Sequence, residues 1–289
     1  MRPEQSDGET AMRQRIGLVA ILAAGLACAA ATARQPGTAA DPPPAPQGAV
    51  VDLTGPFHTR SAWRLVVTEG PRTKDVADEA APGALTLCLR EGPAGPCVAE
   101  PVTLPLRAPS DDDAIAWEPH YLLAAKPVYP QGAKGPPLLM IVTGSLHSGD
   151  GDQLVVTRLL ACDAGHDAFR RVFGGHTGHN NNQEIRFVAE GPLRGRVISA
   201  EPQQRAPYGY WIVVYSRAPA GDYRPVLRYR SATLYNDGNP LAVIDSEMPT
   251  IERRLGLWKP GQPLPAPARD GQGNPCLKPT LRHAELWCG

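Results

Sequence analysis

The densest run of chemistry-bearing side chains is Gly174-Gly175-His176-Thr177-Gly178-His179-Asn180-Asn181-Asn182-Gln183-Glu184. His176 and His179 have two residues between them, and Glu184 follows five positions after His179. Together they can offer two imidazole nitrogens and a carboxylate oxygen to zinc or another divalent cation. His147, in Ser145-Leu146-His147-Ser148-Gly149-Asp150-Gly151-Asp152, can add a further ligand or a general base from a neighbouring loop. The spacing matches neither H-E-x-x-H nor a paired C-x-x-C. The competing reading is a polar turn in which asparagine side chains bond their own backbone and glycines supply positive φ. Asn180, Asn181, Asn182 and Gln183 carry amides that both donate and accept, so the loop is the first candidate for contacting a ligand.

Two other polar sets stand out. Asp150 and Asp152, and separately Asp237, Asn239, Asp245 and Glu247, are hard oxygen ligands of the kind calcium prefers, yet neither set fits an EF-hand loop. Asn236-Asp237-Gly238 reads more simply as a turn. Arg224, Arg228 and Arg230 alternate onto one face of a strand, opposite Leu227 and Tyr229, and offer either a groove for an anionic ligand or an ordinary solvated sheet face. The G-x-S-x-G elbow, the zincin helix and the S-x-x-K signature are all missing, which leans the reading away from an enzyme.

The cysteines depend on the compartment. Arg13 and Arg15 precede an uncharged run from Ile16 to Ala33 that ends Ala31-Thr32-Ala33, the layout of a secretory signal peptide. Export to an oxidising compartment makes disulfides available. Cys88 and Cys97 flank a turn, Cys276 and Cys288 close a tail, and Cys162 is left as a buried thiol or, given a neighbouring base, a nucleophile. Gly25-Leu26-Ala27-Cys28 resembles the lipobox of bacterial lipoproteins, with Gly25 where that family usually has leucine. The resemblance implies acylation at Cys28 as the alternative to cleavage after Ala33. Membrane contact is expected only through the signal segment or such a lipid.

Twenty-nine basic residues balance 29 acidic ones in the 289-residue chain, and removing residues 1–33 leaves the balance at zero. Nucleic acid is therefore not an expected partner, because phosphate-backbone binding needs a basic surplus or stripe. The 32 prolines and 29 glycines are spread between short apolar runs, a spacing that helices do not tolerate and strands joined by turns do. Residues 34–49 read as a Pro-rich tether, 50–258 as a β-rich body, and 259–289 as a Pro-rich linker with a disulfide-closed tail.

Leu138 to Val142, Leu154 to Thr157, Phe169 to Phe173, Ile185 to Val188, Val197 to Ser199, Tyr210 to Tyr215 and Pro225 to Leu234 read as strands. They predict a mainly β fold, an antiparallel β-sandwich, barrel or small propeller. At most one short helix is expected near the C-terminus, at Met248 to Leu257 with Pro249 in its first turn. The functional expectation is an exported, periplasmic or cell-envelope protein acting as a binding or interaction module for an envelope ligand or protein. The alternative is a metal-assisted hydrolase using His176, His179 and Glu184.

Overall fold

The computed structural model describes residues 49–99, 101–102, 118–148, 153–178, 182–203, 208–265 and 275–288. The signal segment and Cys28, together with Asp150, Asp152, His179, Asn180 and Asn181, lie outside these residues.

The chain begins with β1 (Val50–Asp52), helix α1 (Thr54–Phe57), β2 (Trp63–Glu69), the short pair β3 (Thr73–Lys74) and β4 (Ala80–Ala81), and β5 (Leu85–Glu91). It continues through β6 (Tyr121–Val128), β7 (Leu138–His147), β8 (Gln153–Asp163) and β9 (Ala168–Thr177), then β10 (Glu184–Phe187), β11 (Val197–Pro202), β12 (Gly209–Arg217) and β13 (Tyr223–Leu234). Helix α2 (Val243–Arg254) and the hairpin β14 (Pro279–Arg282) and β15 (Glu285–Cys288) follow. Every run read as a strand lies in one, to within a residue at its ends.

Three antiparallel sheets carry the body, in the orders β1-β2-β5, β6-β7-β8-β9 and β10-β11-β12-β13, and none closes into a barrel among the described residues. The second and third are simple meanders, as expected when consecutive strands are joined by short turns. The sheets pack face to face. Leu65, Val67, Leu87 and Leu89 of the first sheet share a core with Leu139, Ile141, Leu160 and Phe169 of the middle one. Leu138, Leu159 and Phe173, on the opposite face of that middle sheet, pack with Val197 and Tyr223 of the third. Burial on both faces explains why Leu138-Leu139-Met140-Ile141-Val142 is apolar throughout and does not alternate with polar residues.

The third sheet buries its far face against α2, with Ile198, Ile212, Val214 and Tyr229 meeting Val243, Ile244 and Ile251. This helix starts earlier than the sequence suggests and holds Pro249 in its interior instead of its first turn. Proline has no N–H to give the carbonyl one turn back. Bonds from the sheet set the start instead: the Ile244 N–H donates to Glu184 Oε1 at 3.2 Å, and Arg186 Nη1 donates to Asp245 Oδ1 at 2.6 Å. A second, four-residue helix, α1, was not anticipated; it buries Phe57 in the first core and ends at His58, whose φ of 51° is left-handed.

Cys88 pairs with Cys97 at a Cα separation of 5.0 Å and Cys276 with Cys288 at 5.5 Å, while Cys162 is free. The second bridge closes the hairpin, whose Leu286 packs on Leu241 and whose backbone accepts from Asn239 Nδ2 at 2.8 Å.

Candidate functional site

The chain passes from the middle sheet to the third between β9 and β10, and a cleft of about 520 Å³ opens beside this crossing. Its walls are Phe173, Gly174, Gly175, His176, Thr177 and Gly178 from β9 and its end, Gln183 and Ile185 from β10 and the turn before it, and Ser199, Glu201, Pro202 and Tyr215 from β11 and β12. Phe173, Ile185 and Tyr215 also belong to the core between the two sheets, so the cleft begins where that core stops. Gly175 is needed for this closeness. A Cβ there would sit 2.9 Å from Ile185 Cδ1 and 3.2 Å from Phe173 Cζ.

The cleft's polar groups come from the alternation of β11. Ile198 and Ala200 face α2, which leaves Ser199 and Glu201 on the opposite, cleft-facing side. Ser199 Oγ donates to Glu201 Oε1 at 2.6 Å, so one carboxylate oxygen is engaged and the other is available to a ligand. The Tyr215 phenol is pushed above its ordinary range chiefly by burial, then by the Glu201 carboxylate, with Arg228 opposing. It therefore stays protonated and can donate. His176 is exposed on the strand, opposite Val156.

The run from Gly174 to Glu184 is thus not one loop. Gly174 to Thr177 finish β9 by pairing with Val155 to Arg158, and Glu184 opens β10. Of the described residues between them, Gly178 donates its N–H to Gln183 Oε1 at 2.8 Å and Asn182 takes a φ of 56°.

The described members of the proposed metal set do not come together. Glu184 lies on the α2 side of β10, where it receives three hydrogen bonds from Arg186, and the adjacent Ile185 faces the cleft. Burial works against the Arg186 charge, but Glu184 and Asp245 together outweigh it and hold the guanidinium proton tightly. His147 ends β7, where its ring lies 6.3 Å from that of Tyr121. By strand register it is two strands across and four residues along from His176, on the order of 15 Å. Among the described residues no group of three His, Cys, Asp or Glu side chains is arranged to hold a metal ion.

The calcium candidates are likewise engaged elsewhere. Asp237 Oδ1 accepts from the Asn239 N–H at 2.8 Å inside a turn whose Asn236 and Gly238 have φ of 59° and 87°. Asp245 pairs with Arg186, and Glu247 is bonded to Tyr229 and Thr233.

Arg228 and Arg230 do alternate with Leu227 and Tyr229, which face α2, but the irregularity between Val214 and Tyr215 puts Arg224 on the opposite face from the other two arginines. Arg228 Cζ sits 4.6 Å over the Trp211 ring and Arg230 Cζ 5.8 Å, and Arg230 Nε donates to Gln203 Oε1 at 2.9 Å. Cross-strand pairing of Trp211 with both Glu201 and Arg230 puts these arginines on the same sheet face as the cleft, beyond its rim. Cys162 is half-buried, and its thiol is pushed up by burial and by Asp167 and Asp163. That environment disfavours a thiolate nucleophile.

No known family, curated protein or solved structure matches this chain. The site therefore has to be read from its own chemistry. Ser199, Glu201 and Tyr215 escaped the sequence reading because each sits in a strand and looks like ordinary patterning there. The available signal was Val197-Ile198-Ser199-Ala200-Glu201, whose polar positions alternate in a strand otherwise buried on both sides.

Proposed function

We propose that this is an exported cell-envelope protein that binds a small polar ligand in the cleft between its middle and third sheets. The observation that carries this reading is the pair Glu201 and Tyr215 in the cleft wall. Among the described residues, Glu201 receives only the Ser199 hydroxyl, and no protein partner takes the Tyr215 hydroxyl. Glu184, Asp245 and Glu247 are by contrast used in holding α2. A cleft of about 520 Å³ with an aromatic wall and a few convergent polar groups suits a small molecule.

The export part of the proposal is supported by the N-terminal Arg13, Arg15 and apolar run and by the two disulfides. Among the described residues no helix is long and apolar enough to cross a membrane. A thermal-shift panel of amino acids, amines, mono- and disaccharides and nucleosides tests the binding role. A ligand that raises the melting temperature of the wild type but not of Glu201→Gln and Tyr215→Phe supports it; equal shifts in all three proteins, or none, overturn it. Intact-mass analysis of the exported protein, expected to begin at Arg34, tests the address, and an acylated Cys28 at the N-terminus replaces free export with a lipid anchor.

A further inference from the structure

The charge of the cleft is one-sided. Among the described residues lining it, Glu201 is the only carboxylate, and neither lysine nor arginine is present. Ser199 Oγ occupies Glu201 Oε1 at 2.6 Å and thereby fixes the direction of the carboxylate. Phe173 and Tyr215 meet edge to face, 5.2 Å between ring centroids, and form the adjoining wall. An anion entering here would meet an uncompensated carboxylate. An ammonium group would donate to that carboxylate in a charge-assisted hydrogen bond, and its carbon chain and positive charge would lie against aromatic surface, an attractive arrangement for a cation.

We propose that the cleft takes a small organic cation bearing a primary ammonium group, with Glu201 as its counter-ion and Phe173 and Tyr215 packing on its carbon chain. This rests on the cleft being the ligand site. On the same sheet face Arg228 and Arg230 are held over Trp211, outside the cleft lining. They oppose a second positive charge at that end, so a monocation fits better than a diamine of the same length.

Calorimetry with three probes of equal chain length tests the proposal: pentylammonium, pentanol and pentanoate, titrated into the full exported protein. Pentylammonium should bind about tenfold or more tighter than pentanol and lose that preference in Glu201→Gln, a near-isosteric change. About 0.5 M salt should weaken it in the wild type and leave pentanol unaffected. Pentanol or pentanoate binding as tightly as pentylammonium, or Glu201→Gln retaining the preference, overturns the cation assignment. If that neutral or anionic binding disappears in Ile185→Trp, which fills the cleft, the site remains the ligand site and only its charge preference is wrong. Failure of all three probes to bind overturns the assignment, and the wider thermal-shift panel separately decides whether the cleft binds at all.

Discussion

Glu247 is the most demanding single position in the attachment of α2. Its side chain is 1% exposed, and its two oxygens accept four hydrogen bonds: Tyr229 Oη at 2.7 Å, Thr233 Oγ1 at 2.9 Å, and the backbone N–H groups of Ala232 and Thr233 at 3.1 and 3.2 Å. Glu247→Ala leaves these donors without their acceptor. The Thr233 hydroxyl can fall back on Ser246 Oγ at 3.2 Å, so three groups remain to be charged. At about 1–3 kcal/mol for each buried group left unsatisfied, relieved in part by water entering the vacated space, the loss should be roughly 3–5 kcal/mol. Glu247→Gln behaves differently. Its carbonyl can keep the three donors now on Oε1, and its NH₂ meets the Tyr229 hydroxyl, which can turn to accept; the loss should be roughly 1–2 kcal/mol. Urea unfolding followed by circular dichroism should show both midpoints lowered, alanine more than glutamine, with the denaturant slope unchanged. An alanine variant within about 1 kcal/mol of wild type, or less damaging than glutamine, refutes the idea that this carboxylate organises the α2 contact.

Further outcomes follow from other elements. The Tyr223 phenol, buried and donating to the Gly195 carbonyl at 2.8 Å, is pushed up to about 12 by burial, with Arg217 opposing. The unfolded phenol ionises near pH 10 while the folded one keeps its proton, so stability is fully present below that pH and falls between about pH 10 and 12. Tyr223→Phe should flatten part of this decline in pH-dependent melts, leaving the share of Tyr210 and Tyr229, which are pushed in the same direction. Non-reducing peptide mapping should recover Cys88–Cys97 and Cys276–Cys288 with Cys162 reduced; removing either bridge should lower stability by roughly 2–3 kcal/mol, since each closes a short loop. His176→Ala should leave stability within about 0.5 kcal/mol, because the exposed imidazole holds nothing else in place. A variant that unfolds readily would instead make His176 a structural group.

Local chemistry made much of this protein legible from its residues alone. Short β-branched and aromatic runs punctuated by glycine and proline specify strands wherever they lie in the chain, so the mainly β class and the strands from Leu138 to Leu234 were readable. Disulfide pairing followed sequence proximity, because Cys88 and Cys97 are joined by a turn and Cys276 and Cys288 by a closed hairpin. Tertiary contacts decided the rest. Gly174 to Thr177 look like a loop by composition, yet they pair with β8 because the neighbouring strand supplies partners for their backbone. The start of α2 depends on Glu184 and Arg186, which lie far from it in sequence and reach its first turn only across the third sheet. That same contact turns Glu184 away from the cleft. The cleft joins Phe173 and Gly175 on one sheet to Glu201 and Tyr215 on another, and no spacing along the chain encodes which strand faces which when sheets stack.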